Sequence, residues 1–171
     1  MKTEVYNYPF AEYFKYYIEL VKEEDMFEAF NNNLNKVQAL IKDMSDDIGL
    51  YAYAEGKWTI KELLLHIIDT ERIFNFRALS FARNEKQNLP GFDHDSYVKN
   101  SNANSRSIND LLQELISVRK ATITLFKGLS EEMLKRSGKA NGNELTVMAI
   151  GFLIVGHCEH HLKVLKEKYL S

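Results

Sequence analysis

Four long segments of this chain place apolar residues three or four positions apart, which is the spacing of one face of an α-helix. The sequence has only two prolines and eight glycines among 171 residues, so few helix breakers interrupt these segments. We find no long stretch with the strict apolar–polar alternation of a half-buried strand. Because amphipathic helices must bury their apolar faces against one another, the sequence predicts an all-α four-helix bundle, formed by a single domain over residues 1–171.

The predicted helices begin at residues whose side-chain oxygens cap helix N-termini. Candidate caps are Asp25, Thr59 and Ser107, and Thr59 forms a capping box with Glu62. In chain order, the long predicted helices lie within 22–44, 58–84, 108–129 and about 144–170, and a short extra helix is expected at 10–21, after Pro9.

The predicted helices are joined by connections of unequal length. Residues 44–58 and 85–106 form long connections, and 85–106 shows no helical periodicity. Long ordered loops in a compact domain are often functional. We therefore expect 85–106 to contribute to a functional site. The third connection, 130–143, ends in an Asn-Gly turn.

Composition excludes several classes of function. The formal net charge is −2, so the chain has no overall positive field for nucleic acid or an anionic membrane. No apolar run approaches the roughly 20 residues that span a bilayer, and the N-terminus shows no secretion signal. The single cysteine, Cys158, fits a reducing compartment and is interpreted as a packing residue. We expect a cytoplasmic protein that binds neither nucleic acid nor membrane.

Three of the five histidines occur in the short stretch GHCEHHLKVL. His157 and His161 are four residues apart, so they share one helix face, and they continue the apolar stripe of Ile150 and Ile154. Burying two imidazoles without partners is costly, and a divalent cation would stabilise them. His66 lies on the apolar face of another predicted helix and offers a third nitrogen ligand. These three residues form the predicted metal site.

Other interpretations of these residues stay open at this point. A histidine like His66 is more often a core residue with a hydrogen-bond partner, and spacing alone does not establish a metal site. His160 either makes an interhelical contact or faces solvent, whereas His94 lies in a loop that could reach the mouth of the bundle. Arg77 follows the face of His66 and could hold an anion, but a structural ion pair is the favoured prediction for it.

The chain resembles the DinB/YfiT-like family of metal-dependent enzymes. The resemblance is carried by GKWTIKELLLHIIDTERIFNFRAL, by LPGFDHDSYV and by GHCEHHLKVLKEKYL, and it extends over nearly the whole chain. The family pattern is a histidine on the second long helix and an H-x-x-x-H pair on the last. This pattern maps onto His66, His157 and His161 without departure.

The resemblance implies a fold, a cofactor and a class of activity. The fold would be a four-helix bundle of the DinB/YfiT type, often a homodimer, with a bound divalent metal that is commonly nickel or zinc. The leading functional prediction is an S-transferase that uses a low-molecular-weight thiol on a small-molecule substrate, in detoxification or stress response. The alternatives are a metal-dependent hydrolase, favoured if a general base lies near the metal, and a non-catalytic metal- or ligand-binding protein. The predicted walls of the pocket are the 85–106 connection and the aromatic N-terminal segment.

Overall fold

The computed structural model describes residues 1–8 and 11–170, and these residues are mainly helical. Pro9 and Phe10, at the start of the predicted N-terminal helix, lie outside the described residues. The α-helices are α1 (Lys2–Val5), α2 (Glu12–Leu20), α3 (Met26–Ile41), α4 (Asp46–Gly49), α5 (Ile60–Ala82), α6 (His94–Lys99), α7 (Ile108–Lys127), α8 (Glu131–Lys135) and α9 (Val147–Val164). A 3-10 turn covers Ala103–Ser105, a π-helical turn covers Leu165–Tyr169, and two strands are β1 (Ser137–Ala140) and β2 (Asn143–Thr146).

The predicted caps are confirmed. Asp25 accepts hydrogen bonds from two backbone N–H groups at the start of α3, and Ser107 accepts one at the start of α7. Thr59 and Glu62 form the complete capping box of α5, in which each side chain accepts from the other residue's backbone N–H. These bonds satisfy helix N–H groups that would otherwise have no partner, so they fix where the long helices begin.

The last long helix begins and ends differently from the prediction. It starts at Val147 rather than near residue 144, because the preceding residues form the antiparallel hairpin β1–β2. Asn141 and Gly142 join the strands with φ angles of 50° and 76°, the left-handed backbone that tight hairpin turns require. The regular helix also ends at Val164, before the π-helical turn, instead of continuing to residue 170.

The 85–106 connection contains α6 and the 3-10 turn.

The long helices α3, α5, α7 and α9 form the four-helix bundle. Helix α9 packs against α2, α3 and α5, while α7 packs against α3 and α5. The first ten residues of α9, 147–156, are all buried, so this helix lies at the centre of the fold rather than presenting a single apolar stripe. At Gly156 a β-carbon would overlap the backbone carbonyl of Tyr17, which shows how closely α2 crosses α9.

A buried ion pair connects three helices of the bundle. The fully buried Arg119 of α7 donates from Nε and Nη2 to the two carboxylate oxygens of Glu71 on α5, at 2.8 and 2.9 Å. Its Nη1 donates to Asn33 and to the Phe30 carbonyl, both on α3. Thr122 also donates to Glu71. The network fixes α3, α5 and α7 relative to one another, because each buried charge depends on partners from the other helices.

Candidate metal centre and its cavity

The three predicted histidines come together where α5 and α9 pack. His66 Nε2 and His161 Nε2 each lie 3.1 Å from His157 Nε2, and one nitrogen from each of the three residues lies within 4.8 Å of the others. His66 is buried, and His157 and His161 are half-buried. The four-residue spacing on α9 and the inward face of α5 therefore converge on one point.

The nitrogen spacing fits a shared cation better than a set of hydrogen bonds. The central Nε2, that of His157, has either one hydrogen or one lone pair, so it can make only one of the two contacts as an ordinary hydrogen bond. Ligand nitrogens about 2.0–2.1 Å from a metal lie about 3.3 Å apart in tetrahedral geometry and about 2.9 Å apart in octahedral geometry. The observed 3.1 Å falls between these two values.

The surroundings of the cluster favour neutral imidazoles, the form that binds metal. Burial, reinforced by the neighbouring histidines, lowers the pKa of His66 to about 4. Burial and the same neighbours hold the pKa values of His157 and His161 well below the usual range. Neutral histidines offer a lone pair without first releasing a proton, so the donor set suits a divalent cation at neutral pH.

The ring orientations are set by packing. The indole of Trp58 lies 4.7 Å from the His66 ring, and the Tyr17 and Phe74 rings lie 6.0 and 6.5 Å from the His157 ring, between centroids. His161 Nδ1 is buried without a hydrogen-bond partner in the described part of the chain. Aromatic contacts from α2, α5 and the residue before the α5 cap therefore hold the imidazoles of His66 and His157.

Two acids close to His66 in the sequence, Asp69 and Glu71, pair with arginines. Asp69 lies 3.6 Å from Arg72, and Glu71 belongs to the ion pair with Arg119. Cys158 is fully buried, as predicted for a packing residue, and burial raises the pKa of its thiol to about 11. Its thiol is therefore protonated at neutral pH and is a poor nucleophile.

The histidine cluster lies in the wall of a cavity of about 460 Å³ that opens to solvent. Helix α2 and the 85–106 connection both contribute walls, which confirms the prediction for these segments. The hairpin adds Asn141 and Asn143, which sequence reasoning missed although the Asn-Gly turn signalled a reversal there. The aromatic residues of the lining are Tyr13, Phe14, Tyr17, Trp58, Phe74 and Phe92.

The remaining two histidines lie at the edge of this cavity. His94 begins α6, is exposed, and has its ring 5.8 Å from that of His66, so the loop histidine does reach the mouth of the bundle. His160 Nδ1 lies 3.2 Å from the Tyr16 hydroxyl of α2, an interhelical contact. His94 therefore faces the cluster from the solvent side, whereas His160 joins α9 to α2.

The favoured prediction for Arg77 is wrong. Its guanidinium forms no ion pair within the described residues; Nη2 donates instead to the Pro90 carbonyl at 3.1 Å, and Cζ lies 5.7 Å from the Phe74 ring centre. Arg77 is buried and lines the cavity. The segment that packs over Arg77 offers it the Pro90 backbone carbonyl group in place of the expected acid.

Fold and site together define a helical bundle with a three-histidine cluster at a cavity. Residues 29–165 match the model of the DinB superfamily, and the chain belongs to this family. It is 26% identical over 141 residues to a protein of Oceanobacillus iheyensis named "Putative metal-dependent hydrolase", covering 81% of this chain and 79% of that one. The fold matches YfiT from Bacillus subtilis, described as "a probable metal-dependent hydrolase with an unusual four-helix bundle topology", with a TM-score of 0.72 and 17% identity over 83% and 82% of the two chains.

No helix in the described residues, 1–8 and 11–170, is both long and apolar enough to cross a bilayer.

Proposed function

We propose that His66, His157 and His161 bind one divalent cation and that the protein is a metal-dependent hydrolase acting on a small molecule. The observation that carries the proposal is the meeting of three Nε2 atoms in the wall of an open cavity. Three protein ligands beside open space are typical of catalytic rather than structural metal sites, which are closed by a fourth ligand. Zinc and nickel are the proposed metals, since imidazole ligands suit both.

A cation held by these residues would supply Lewis-acid chemistry, polarising the substrate and lowering the pKa of a nearby water. The chain's own residues supply the rest of the site. The aromatic walls formed by α2, Trp58 and Phe92 exclude bulk water from one side of a bound substrate. A low-dielectric environment of this kind strengthens electrostatic interactions with the reacting group.

His94 is the proposed general base. It lies at the cavity mouth on the solvent side of the histidine cluster, 5.8 Å from the His66 ring. In this proposal its imidazole accepts a proton from the attacking water and returns one to the leaving group, so the proton balance of hydrolysis closes. The described lining contains no carboxylate that could take this role. A base beside the cluster favours hydrolysis over thiol transfer, and the names of the two similar proteins support the same class.

The thiol-dependent S-transferase stays the second candidate, and non-catalytic metal binding the third. The cavity has room for a thiol and an electrophile, but no residue of the lining specifies a thiol. The homodimer, the single-domain organisation and the cytoplasmic location remain predictions.

The test compares hydrolysis and thiol transfer on the same zinc- or nickel-loaded protein. The hydrolytic panel contains p-nitrophenyl acetate, p-nitrophenyl phosphate and an anilide, and the transfer assay contains glutathione or cysteine with monochlorobimane. We expect hydrolysis that depends on the metal. His161→Ala should lose both the metal and the hydrolytic activity. His94→Gln should retain the metal, while its rate of hydrolysis should fall by about 100-fold or more. His160→Gln is the matched control and should have a smaller effect.

Two results would contradict the hydrolase, and a third would contradict the role proposed for His94. Metal-dependent thiol transfer without hydrolysis would favour the S-transferase. Tight metal binding with neither activity would favour a binding protein. Full hydrolytic activity in His94→Gln would remove His94 from its proposed role.

A further inference from the structure

We propose that Arg77 forms a separate binding position in this cavity, for the carboxylate of an organic substrate whose reactive group lies at the three histidines. As a substrate position this rests on the proposed function, but as an anion-binding position it stands independently. Three features of the molecule support it: the unbalanced charge of Arg77, the place of Arg77 along α5 and the composition of the cavity wall.

The guanidinium of Arg77 is buried without a counter-charge. The residue is only 7% exposed, and no carboxylate of the described residues pairs with it. Of its five N–H donors, one hydrogen-bonds the Pro90 carbonyl. Burial lowers the pKa of Arg77, as expected for a cation that has lost water without gaining an anion. An incoming anion would supply the missing interactions.

Arg119 provides an internal comparison. It is also buried, but its guanidinium donates two hydrogen bonds to Glu71 and further ones to Asn33 and Phe30. The fold therefore neutralises a buried arginine completely where the role is structural. Arg77 differs in two respects, because it lacks an acid and because it borders open space.

Arg77 lies on the same wall of the cavity as the metal centre. His66, Thr70, Phe74 and Arg77 follow one face of α5 and all line the cavity. The Phe74 ring connects the two ends, 6.5 Å from the His157 ring centre and 5.7 Å from Arg77 Cζ. Between them Thr70, 4% exposed, has a hydroxyl without a hydrogen-bond partner in the described residues. A ligand along this wall would meet a cation-binding cluster, a hydroxyl, an aromatic ring and a guanidinium in turn.

The wall indicates a monoanion with an apolar body. Arg77 is the one arginine or lysine of the described lining, so the side chains of the cavity offer a single permanent positive charge. A carboxylate matches this charge and can accept two parallel guanidinium hydrogen bonds, whereas a phosphate monoester carries nearly two negative charges. Phe14, Phe74 and Leu153 supply apolar surface for the body of the ligand.

The experiment measures ligand binding and needs neither turnover nor metal. Phenylacetate, 3-phenylpropionate and 4-phenylbutyrate are each titrated against their neutral amides by ligand-observed NMR, with the fluorescence of Trp58 as a second signal. We expect at least one acid to bind about tenfold or more tightly than its amide. Arg77→Met should bring this ratio close to one, and Arg77→Lys should lower it while keeping the charge. Arg83→Met, at an exposed arginine just after α5, is the matched control and should keep the wild-type ratio.

The proposal is wrong if no acid binds better than its amide, or if Arg77→Met keeps the preference while remaining folded in a thermal melt. Should Arg77→Met not fold, an unchanged ratio in Arg77→Lys and in Arg77→Gln would overturn the proposal equally. Phenyl phosphate tests the class of ligand. If it binds more tightly than the carboxylates and its binding depends on Arg77, the ligand of this position is a phosphate ester and not a carboxylate. His161→Ala separates the two sites, because a preference lost there but kept in Arg77→Met would mean that the carboxylate binds at the histidine cluster.

Discussion

Acidification of the metal-free protein should destabilise it through the histidine cluster. The folded state keeps His66 neutral, with its pKa lowered to about 4, whereas in the unfolded chain the ordinary value is 6.5. Above pH 6.5 both states are neutral and the free energy of unfolding is unaffected. As the pH falls below 6.5, the unfolded chain takes up a proton before the folded protein does, so stability decreases down to about pH 4.

The size of this effect follows from the shift. Between about pH 7.5 and pH 5, His66 alone should lower the free energy of unfolding by about 2 kcal/mol. His157 and His161 act in the same direction, since burial lowers their pKa values too. Such a loss is a large part of the stability of a typical domain, which is about 5–15 kcal/mol.

Urea unfolding of chelator-treated protein across this pH range is the assay, with His66→Gln as the matched variant. Glutamine does not titrate, so the variant should lose about 2 kcal/mol less between about pH 7.5 and pH 5 than the wild type. Only the pH dependence is compared, so a general change in stability caused by the substitution cancels. Equal losses in the two proteins would refute the conclusion that His66 is neutral because it is buried.

Two substitutions test the packing that holds the site. Glu71→Gln should lower the free energy of unfolding in urea by about 3–5 kcal/mol, because it leaves the buried Arg119 without its counter-charge. Glu114→Gln, at a more exposed ion pair, is the control. A loss below about 1 kcal/mol in Glu71→Gln would contradict the account of this ion pair. Gly156→Ala should separate α2 from α9, because the new methyl group would overlap the Tyr17 carbonyl. Its melting temperature should therefore lie well below that of Gly128→Ala, where only ordinary contacts are expected. Equal melting temperatures would show that α2 moves aside freely.

Sequence periodicity and capping residues were sufficient to predict the four long helices and the caps of the first three. Periodicity was sufficient as well for the histidine cluster, because a four-residue spacing on one inward face leaves His157 and His161 little freedom in direction. The hairpin at 137–146 escaped prediction, since its strands are only four residues each and the first contains glycine and lysine. Its Asn-Gly turn was the available signal.

The environment of Arg77 and the position of His94 could not be predicted in the same way. Both depend on how the segment 89–94 packs against α5, and that contact joins residues distant in sequence without a periodic pattern. The Pro90 carbonyl at Arg77 and the approach of His94 to His66 arise from this single connection. A sequence can suggest that a long connection is functional, but it does not show which of its groups face the cavity.

The central claim is that three histidines share one divalent cation, and X-ray absorption at the zinc edge tests it most directly. After one equivalent of zinc is added, we expect the scattering pattern of three imidazoles with nitrogen at about 2.0–2.1 Å. In zinc-loaded His66→Gln the imidazole contribution should fall to two, or the metal should be lost. An oxygen-only shell in the wild type, or a spectrum unchanged in His66→Gln, would contradict the three-histidine site.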